Sequence, residues 1–237
     1  MVNVNKQSHR SPTVAIDGPV GSGKSTVARR LAERLGFLYI DTGAMYRAAT
    51  WKAMQSGVDL NDYSAVARLI DRTEIRLDRS GDAVWCDGRD VREEIRRPEV
   101  SRATSPVADN PAVRRRLVEL QQKMGEHGGV VMEGRDIGTV VFPDADVKVY
   151  LDASPEVRAE RRTSELRAAG VDVDYEETLR DLIERDRRDR SRPVGALRIA
   201  EGAIVLDSTR LTVEEVVERI ERYVRGLQVG SGSVRIR

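Results

Sequence analysis

Eight consecutive residues near the start of the chain, Gly18, Pro19, Val20, Gly21, Ser22, Gly23, Lys24 and Ser25, fit the spacing GxxxxGK[ST], with Thr26 following. In that pattern backbone N–H groups at a helix start cradle phosphate oxygens, helped by the helix dipole. Lys24 then reaches β- and γ-phosphates, and the Ser25 hydroxyl is a candidate Mg²⁺ ligand. The flanks fit as well. Residues 14–17 read as an apolar strand, and Val27, Ala28, Leu31, Ala32 and Leu35 recur at helical spacing until Gly36 stops the run.

Phosphoryl transfer is mostly positioning and charge neutralisation, so a second anion site should face the first. Arginine suits it, because its planar fork grips phosphate bidentately. At about 100° per helical residue, Arg185, Arg188, Asp189 and Arg192 share roughly one face before Pro193 ends the run. Asp181 and Asp186 are interleaved, however, and spacing alone suits a solvated, ion-paired helix at least as well. Arg135 and Asp136 follow the apolar run 130–133, at a carboxyl end where α/β sheets bind ligands. Arg47 falls on the second turn of a helix with Thr42 as a plausible N-cap. Ser105, before Pro106, reads as a turn residue, and Arg114 as one of three consecutive surface arginines. Arg158, Arg161 and Arg162 share a face and are candidates to cover donor phosphates.

The elements that must position these groups are legible in outline. Uniformly apolar runs at 14–17, 38–41, 130–133, 147–152 and 204–207 look like buried parallel strands, each with helical pattern nearby. They imply a doubly wound α/β core with a five-stranded parallel sheet. Thr212 and Glu215 form a capping box before a helix with Val213, Val216, Val217, Ile220 and Val224 on one side. Two stretches break the rhythm. Residues 74–91 alternate, with turns near Ser80, Gly81, Asp82, Asp87 and Gly88, and predict a small inserted antiparallel sheet. Residues 154–193 are charged and helical, broken near Gly170, without a core stripe, and suggest a movable flap. The ends, 1–11 and 228–237, read as flexible.

With 40 basic and 39 acidic residues the net charge is +1, which argues against a general nucleic-acid or membrane field. Five of the 40 are lysines, leaving 35 arginines, so any positive site is local and arginine-built. Cys86 stands alone and reads as a packed thiol. No apolar run is long enough to span a membrane, and a cytoplasmic protein is expected.

The segments GPVGSGKST (18–26), DTGAMYR (41–47), EGRDIGTVVFPDA (133–145) and ERDRRDRSR (184–192) closely resemble bacterial cytidylate kinases, relatives of adenylate kinase. The resemblance spans most of 14–224. It implies a phosphate-loop core at 12–41, 104–153 and 194–227, a nucleoside-monophosphate domain at 42–103 carrying the small sheet, and a helical lid at 154–193. It also implies ATP as donor, Mg²⁺, CMP and dCMP as acceptors, no nucleic-acid or membrane partner, and a monomer. By resemblance Arg47, Arg135 and Arg192 hold the acceptor phosphate. Arg185 and Asp189 contact its sugar, and Thr42 is also among the substrate-binding positions. Ser105, Arg114 and Asp136 read the base, and Arg188 is a cation for the transition state or the ATP side. Similar enzymes often carry aspartate and serine where this chain has Glu133 and Thr42. Other readings are a kinase for a different small acceptor, a nucleotide-gated switch, for which the NKxD sequence is missing, and an arginine-rich nucleic-acid binder.

Overall fold

A computed structural model describes residues 10–78, 80–81 and 83–230. Its centre is strand β1, Thr13–Asp17, in which every residue is buried. An apolar strand of this kind needs cover on both faces, and the fold supplies it. The parallel sheet contains β1, β2 (Leu38–Asp41), β6 (Val130–Gly134), β7 (Val147–Asp152) and β8 (Ile204–Asp207), in the order β2-β6-β1-β7-β8. These are the five expected strands.

Helices α1 (Lys24–Leu35) and α8 (Val213–Gly230) cover one face, where Val27, Leu31, Val217 and Ile220 pack on Val14, Ile16, Val149 and Leu151. On the other face Ala15, Ile40 and Met132 meet Ile137 and Val141 of a π-type turn, Ile137–Val141. The capping box is present: Glu215 accepts from the Thr212 amide at 2.8 Å, and the Glu215 amide donates to the Thr212 hydroxyl at 3.3 Å. Val213, assigned to the apolar side from its spacing, is instead exposed on the first turn. Residues 228–230 belong to α8 rather than to a loose tail, while 1–9 and 231–237 lie outside the described residues.

A second apolar cluster lies between β2 and β6 in sequence. It joins α2 (Thr42–Gln55), α3 (Tyr63–Asp71), α4 (Pro98–Asp109) and α5 (Pro111–Gly125) to an antiparallel sheet of β3 (Ile75–Leu77), β4 (Val84–Cys86) and β5 (Arg89–Asp90). Cys86 is buried in it, its thiol pushed up to about 11 by burial. Asp87 and Gly88 take the left-handed turn conformation, as does Gly81; Asp82 lies outside the described residues.

The arm after β7 consists of α6 (Pro155–Ala168) and α7 (Tyr175–Ser191), packed on each other. It does have an interior, contrary to its charged appearance. Ala159, Thr163, Thr178 and Leu182 are buried there beside an Arg158–Asp186 ion pair, in which charged side chains occupy apolar helical positions. No helix among the described residues is long and apolar enough to cross a membrane.

Candidate active site

Since β1 and β6 are parallel neighbours with Asp17 opposite Gly134, the loops leaving their carboxyl ends emerge side by side. The first is the phosphate loop. Gly23 caps α1 in a left-handed conformation with no side-chain cap bond, leaving the first N–H groups of the helix open to an anion. Lys24 Nζ donates to the Pro19 carbonyl at 2.6 Å across the loop. Its ammonium is pushed down to about 7 by burial and then by the Arg135 charge, against the pull of Glu133, Asp17 and Asp189.

The Ser25 hydroxyl donates to Glu133 Oε1 at 2.5 Å, and the Tyr39 hydroxyl reaches the same oxygen at 3.5 Å. Glu133 is buried, which raises its pKa, and Asp41 nearby raises it further. A carboxylate and a hydroxyl brought together in this way fit Mg²⁺, which is commonly bound through one or two protein oxygens with phosphates and water completing the shell. Among the described residues there is no group of three or more His, Cys, Asp or Glu able to hold a metal alone.

The three α6 arginines offered as donor-phosphate candidates each bond to groups of the chain itself. Arg158 is buried, and donates to the carbonyls of Val20 and Ala153 at 2.9 Å each, with Asp186 at 2.7 Å. It braces the phosphate loop from behind. Arg161 donates to the Ser208 carbonyl at 2.8 Å, and Arg162 pairs with Glu165 at 2.6 Å.

The second loop carries Arg135 and Asp136. Arg135 Nε meets Asp189 Oδ2 at 2.8 Å, while Arg192 Nη2 meets the other oxygen at 2.7 Å and its Nε meets Asp109 at 2.6 Å. Burial works to raise the Asp189 pKa, but Arg135 and Arg192 outweigh it, and the carboxyl stays below its ordinary value. Arg185 makes no ion pair among the described residues and is pushed down to about 10 by burial and by Arg135, with Arg47 and Arg162 contributing. Arg47 pairs with Asp41 at 2.9 Å. Arg188 is not brought to this cluster. It sits on the solvent side of α7, 3.5 Å from Glu184.

Below the cluster lies the Arg114–Asp136 ion pair, with side chains 3% and 6% exposed. Arg114 also donates to the Ala108 carbonyl at 3.1 Å and stands 5.3 Å over the Tyr46 ring. It is therefore no surface residue. Gly195, at φ +67°, packs so closely on the pair that a Cβ there would overlap both side chains. Ser105 lies inside α4 and not in a turn, half-buried and one turn from Ala108 and Asp109. Thr42 does not cap α2. Asp41 accepts from Ala44 N at 2.8 Å as the cap, and Thr42 Oγ1 donates to the Glu133 carbonyl at 2.8 Å.

Spacing did not reveal Asp109, Asp186 or Asp17 as partners in the site, because each joins segments far apart in sequence, and it also missed Asp41, whose partners Ala44 and Arg47 are close by. For Asp41 alone a local signal existed, since Asp is a preferred N-cap residue.

A family model described as cytidylate kinase matches residues 14–226. A cytidylate kinase from Pelotomaculum thermopropionicum is 56% identical over 212 residues, covering 88% of this chain and 94% of that one. Another, from Desulfitobacterium hafniense, is 52% identical, covering 87% and 90%. A Synechococcus protein named bifunctional pantoate ligase/cytidylate kinase is 47% identical over 94% of this chain, which spans 42% of it. A solved gluconokinase from Sinorhizobium meliloti shares the fold, with a TM-score of 0.51 at 16% identity over 95% of this chain and 99% of that one. With the phosphate loop, the facing arginine cluster and these matches in place, the chain belongs to the cytidylate kinase family.

Proposed function

We propose that the enzyme transfers the γ-phosphoryl group of ATP to CMP or dCMP, releasing ADP and CDP or dCDP. The observation that carries this reading is Arg185: a half-buried guanidinium that makes no ion pair among the described residues, crowded by Arg135 and Arg47, with Arg135 also acting on Lys24 of the phosphate loop. A site with surplus positive charge next to a phosphate cradle suits a second phosphate.

In this reading residues 18–26 bind the ATP phosphates, with Lys24 on the β- and γ-groups. Ser25 and Glu133 would hold Mg²⁺, which would supply charge neutralisation for the transferring group. Arg47, Arg135 and Arg192 hold the acceptor phosphate, and Arg185 and Asp189 its sugar. An acceptor phosphate oxygen forms the new bond to the γ-phosphorus as the bond to the bridging oxygen breaks, and that oxygen leaves on ADP. Arg188 acts only if α7 turns it inward. Thr42 holds the Glu133 backbone at the acceptor side.

Cytosine presents an N4 amino donor beside the N3 and O2 acceptors, and this suits a carboxylate next to a guanidinium. Asp136 and Arg114 supply that pair, with Ser105 on the neighbouring helix. In this reading the enzyme works as a monomer in the cytoplasm.

A coupled ADP-release assay across CMP, dCMP, UMP, AMP, cytidine, shikimate and gluconate tests the proposal. CMP and dCMP should exceed every other acceptor in kcat/KM by at least tenfold. Preference for UMP, a nucleoside or a sugar acid overturns it.

A further inference from the structure

Asp17 is the last residue of β1, immediately before the phosphate loop, and is 3% exposed. Its hydrogen bonds go to none of the side chains assigned to ATP or acceptor. Its two carboxylate oxygens accept from two successive amides of the turn after β6, Oδ1 from Ile137 N at 2.8 Å and Oδ2 from Gly138 N at 2.7 Å. That turn begins with Arg135 and Asp136. Its own backbone bonds start only at Val140 N, which donates to the Asp136 carbonyl at 2.9 Å. The amides of 137 and 138 are thus the orphan donors of a helical start, and the residue that caps them comes from another strand, 120 residues earlier.

The chemistry at position 17 is narrowly defined. Two adjacent N–H donors call for two acceptor oxygens, which a carboxylate has and a carboxamide lacks; an Asn would turn its NH₂ toward one of them. Reach is limited too, because a Cβ on Gly138 would already lie 3.3 Å from Oδ2. The charged groups that act on Asp17 are Asp136 and Lys24, one from each loop.

We propose that Asp17 is a positioning residue that fixes the Arg135–Asp136 turn against the root of the phosphate loop, setting where the acceptor lies relative to the donor. This rests on the kinase reading above. Hydrogen bonds from one rigid strand to the start of the adjoining turn leave the turn little freedom to slide, and small displacements of reacting groups cost large factors in rate.

The test is Asp17→Asn, with kcat and both KM values measured for CMP and ATP and the CMP-over-UMP preference recorded. The expected result is a rise of at least tenfold in KM for CMP, a drop of at least fivefold in CMP-over-UMP preference, and a KM for ATP within threefold of wild type. Equal losses for both substrates, or kinetics like wild type, overturn the proposal, because a merely structural role moves both nucleotides together. Wild-type enzyme in the same assay separates the two inferences: if it fails to phosphorylate CMP the kinase reading falls first. If Asp17→Asn does not fold, hydrogen exchange on the wild-type protein decides. The Ile137 and Gly138 amides should exchange at least a hundredfold more slowly than unprotected amides, and fast exchange at either refutes the positioning role.

Discussion

Arg114 and Asp136 form an ion pair almost closed to solvent, joining the first turn of α5 to the turn after β6. Breaking a buried pair from one side is costly, because the remaining charge stays in the interior without its partner; Arg114 is further fixed by donating to the Ala108 carbonyl. Removing one member leaves the other charged, buried and alone. Asp136→Asn and Arg114→Met should each lower CMP-over-UMP preference about tenfold, the scale of 1–3 kcal/mol for a buried polar group left unpaired. They should also lower Tm. Steady-state kinetics with both nucleotides and a thermal melt check this, and unchanged preference would remove the pair from base reading.

Gly195 offers a test that alters no charged group. At φ +67° it rests on the Arg114–Asp136 pair, where a methyl group would overlap both side chains. Gly195→Ala should raise KM for CMP at least tenfold while KM for ATP stays within twofold, as measured by varying each substrate in turn.

Lys24 bridges the phosphate loop through the Pro19 carbonyl and is itself buried. Lys24→Ala should reduce kcat by about a thousandfold or more, the range expected when a preorganised positive charge is withdrawn from a transferring phosphoryl group. The fold should persist, because burial already disfavours the ammonium. Circular dichroism alongside single-turnover kinetics separates loss of chemistry from loss of structure.

Asp17 also predicts a pH effect on stability. Burial raises its carboxyl from 3.8 to about 6, even though two backbone amides oppose the shift. A carboxyl that holds its proton more tightly in the folded state stabilises the fold below the unfolded pKa, and that contribution is lost as pH rises through the folded one. Between pH 4.5 and pH 7 the loss comes to about 2 kcal/mol. Denaturant unfolding of wild type and Asp17→Asn at the two pH values should show the wild-type stability falling relative to the variant by that amount. A constant difference contradicts the shift.

The sequence made the scaffold legible because its signals are local. A fully buried parallel strand is a short apolar run, so all five core strands could be read directly, and the phosphate loop is a contiguous motif. The arginine cluster was harder. Arg185, Arg188, Asp189 and Arg192 share a helical face by spacing, yet Arg188 falls at the margin and turns to Glu184 in solvent. Arg114 looked like surface within a run of three arginines; it is buried because α5 presents that position to Tyr46 and Asp136, contacts that spacing cannot encode. Arg158 gave the same difficulty, a charged residue that reads as exposed but lies inside the arm. The resemblance named the acceptor-site positions, Asp136 and Asp189 among them, but not Asp41 and Asp109, which pair with Arg47 and Arg192.

Arg158 has one more consequence. Its guanidinium bolts the first turn of α6 to the back of the phosphate loop and to α7 at once, so the arm has no free pivot at its root. Any swing must therefore be a bend of the outer half, past Thr163 and toward the tight bend at Gly170. Probes for distance measurements placed at residue 168 should then travel when both nucleotides bind, whereas a probe at residue 160 should stand still.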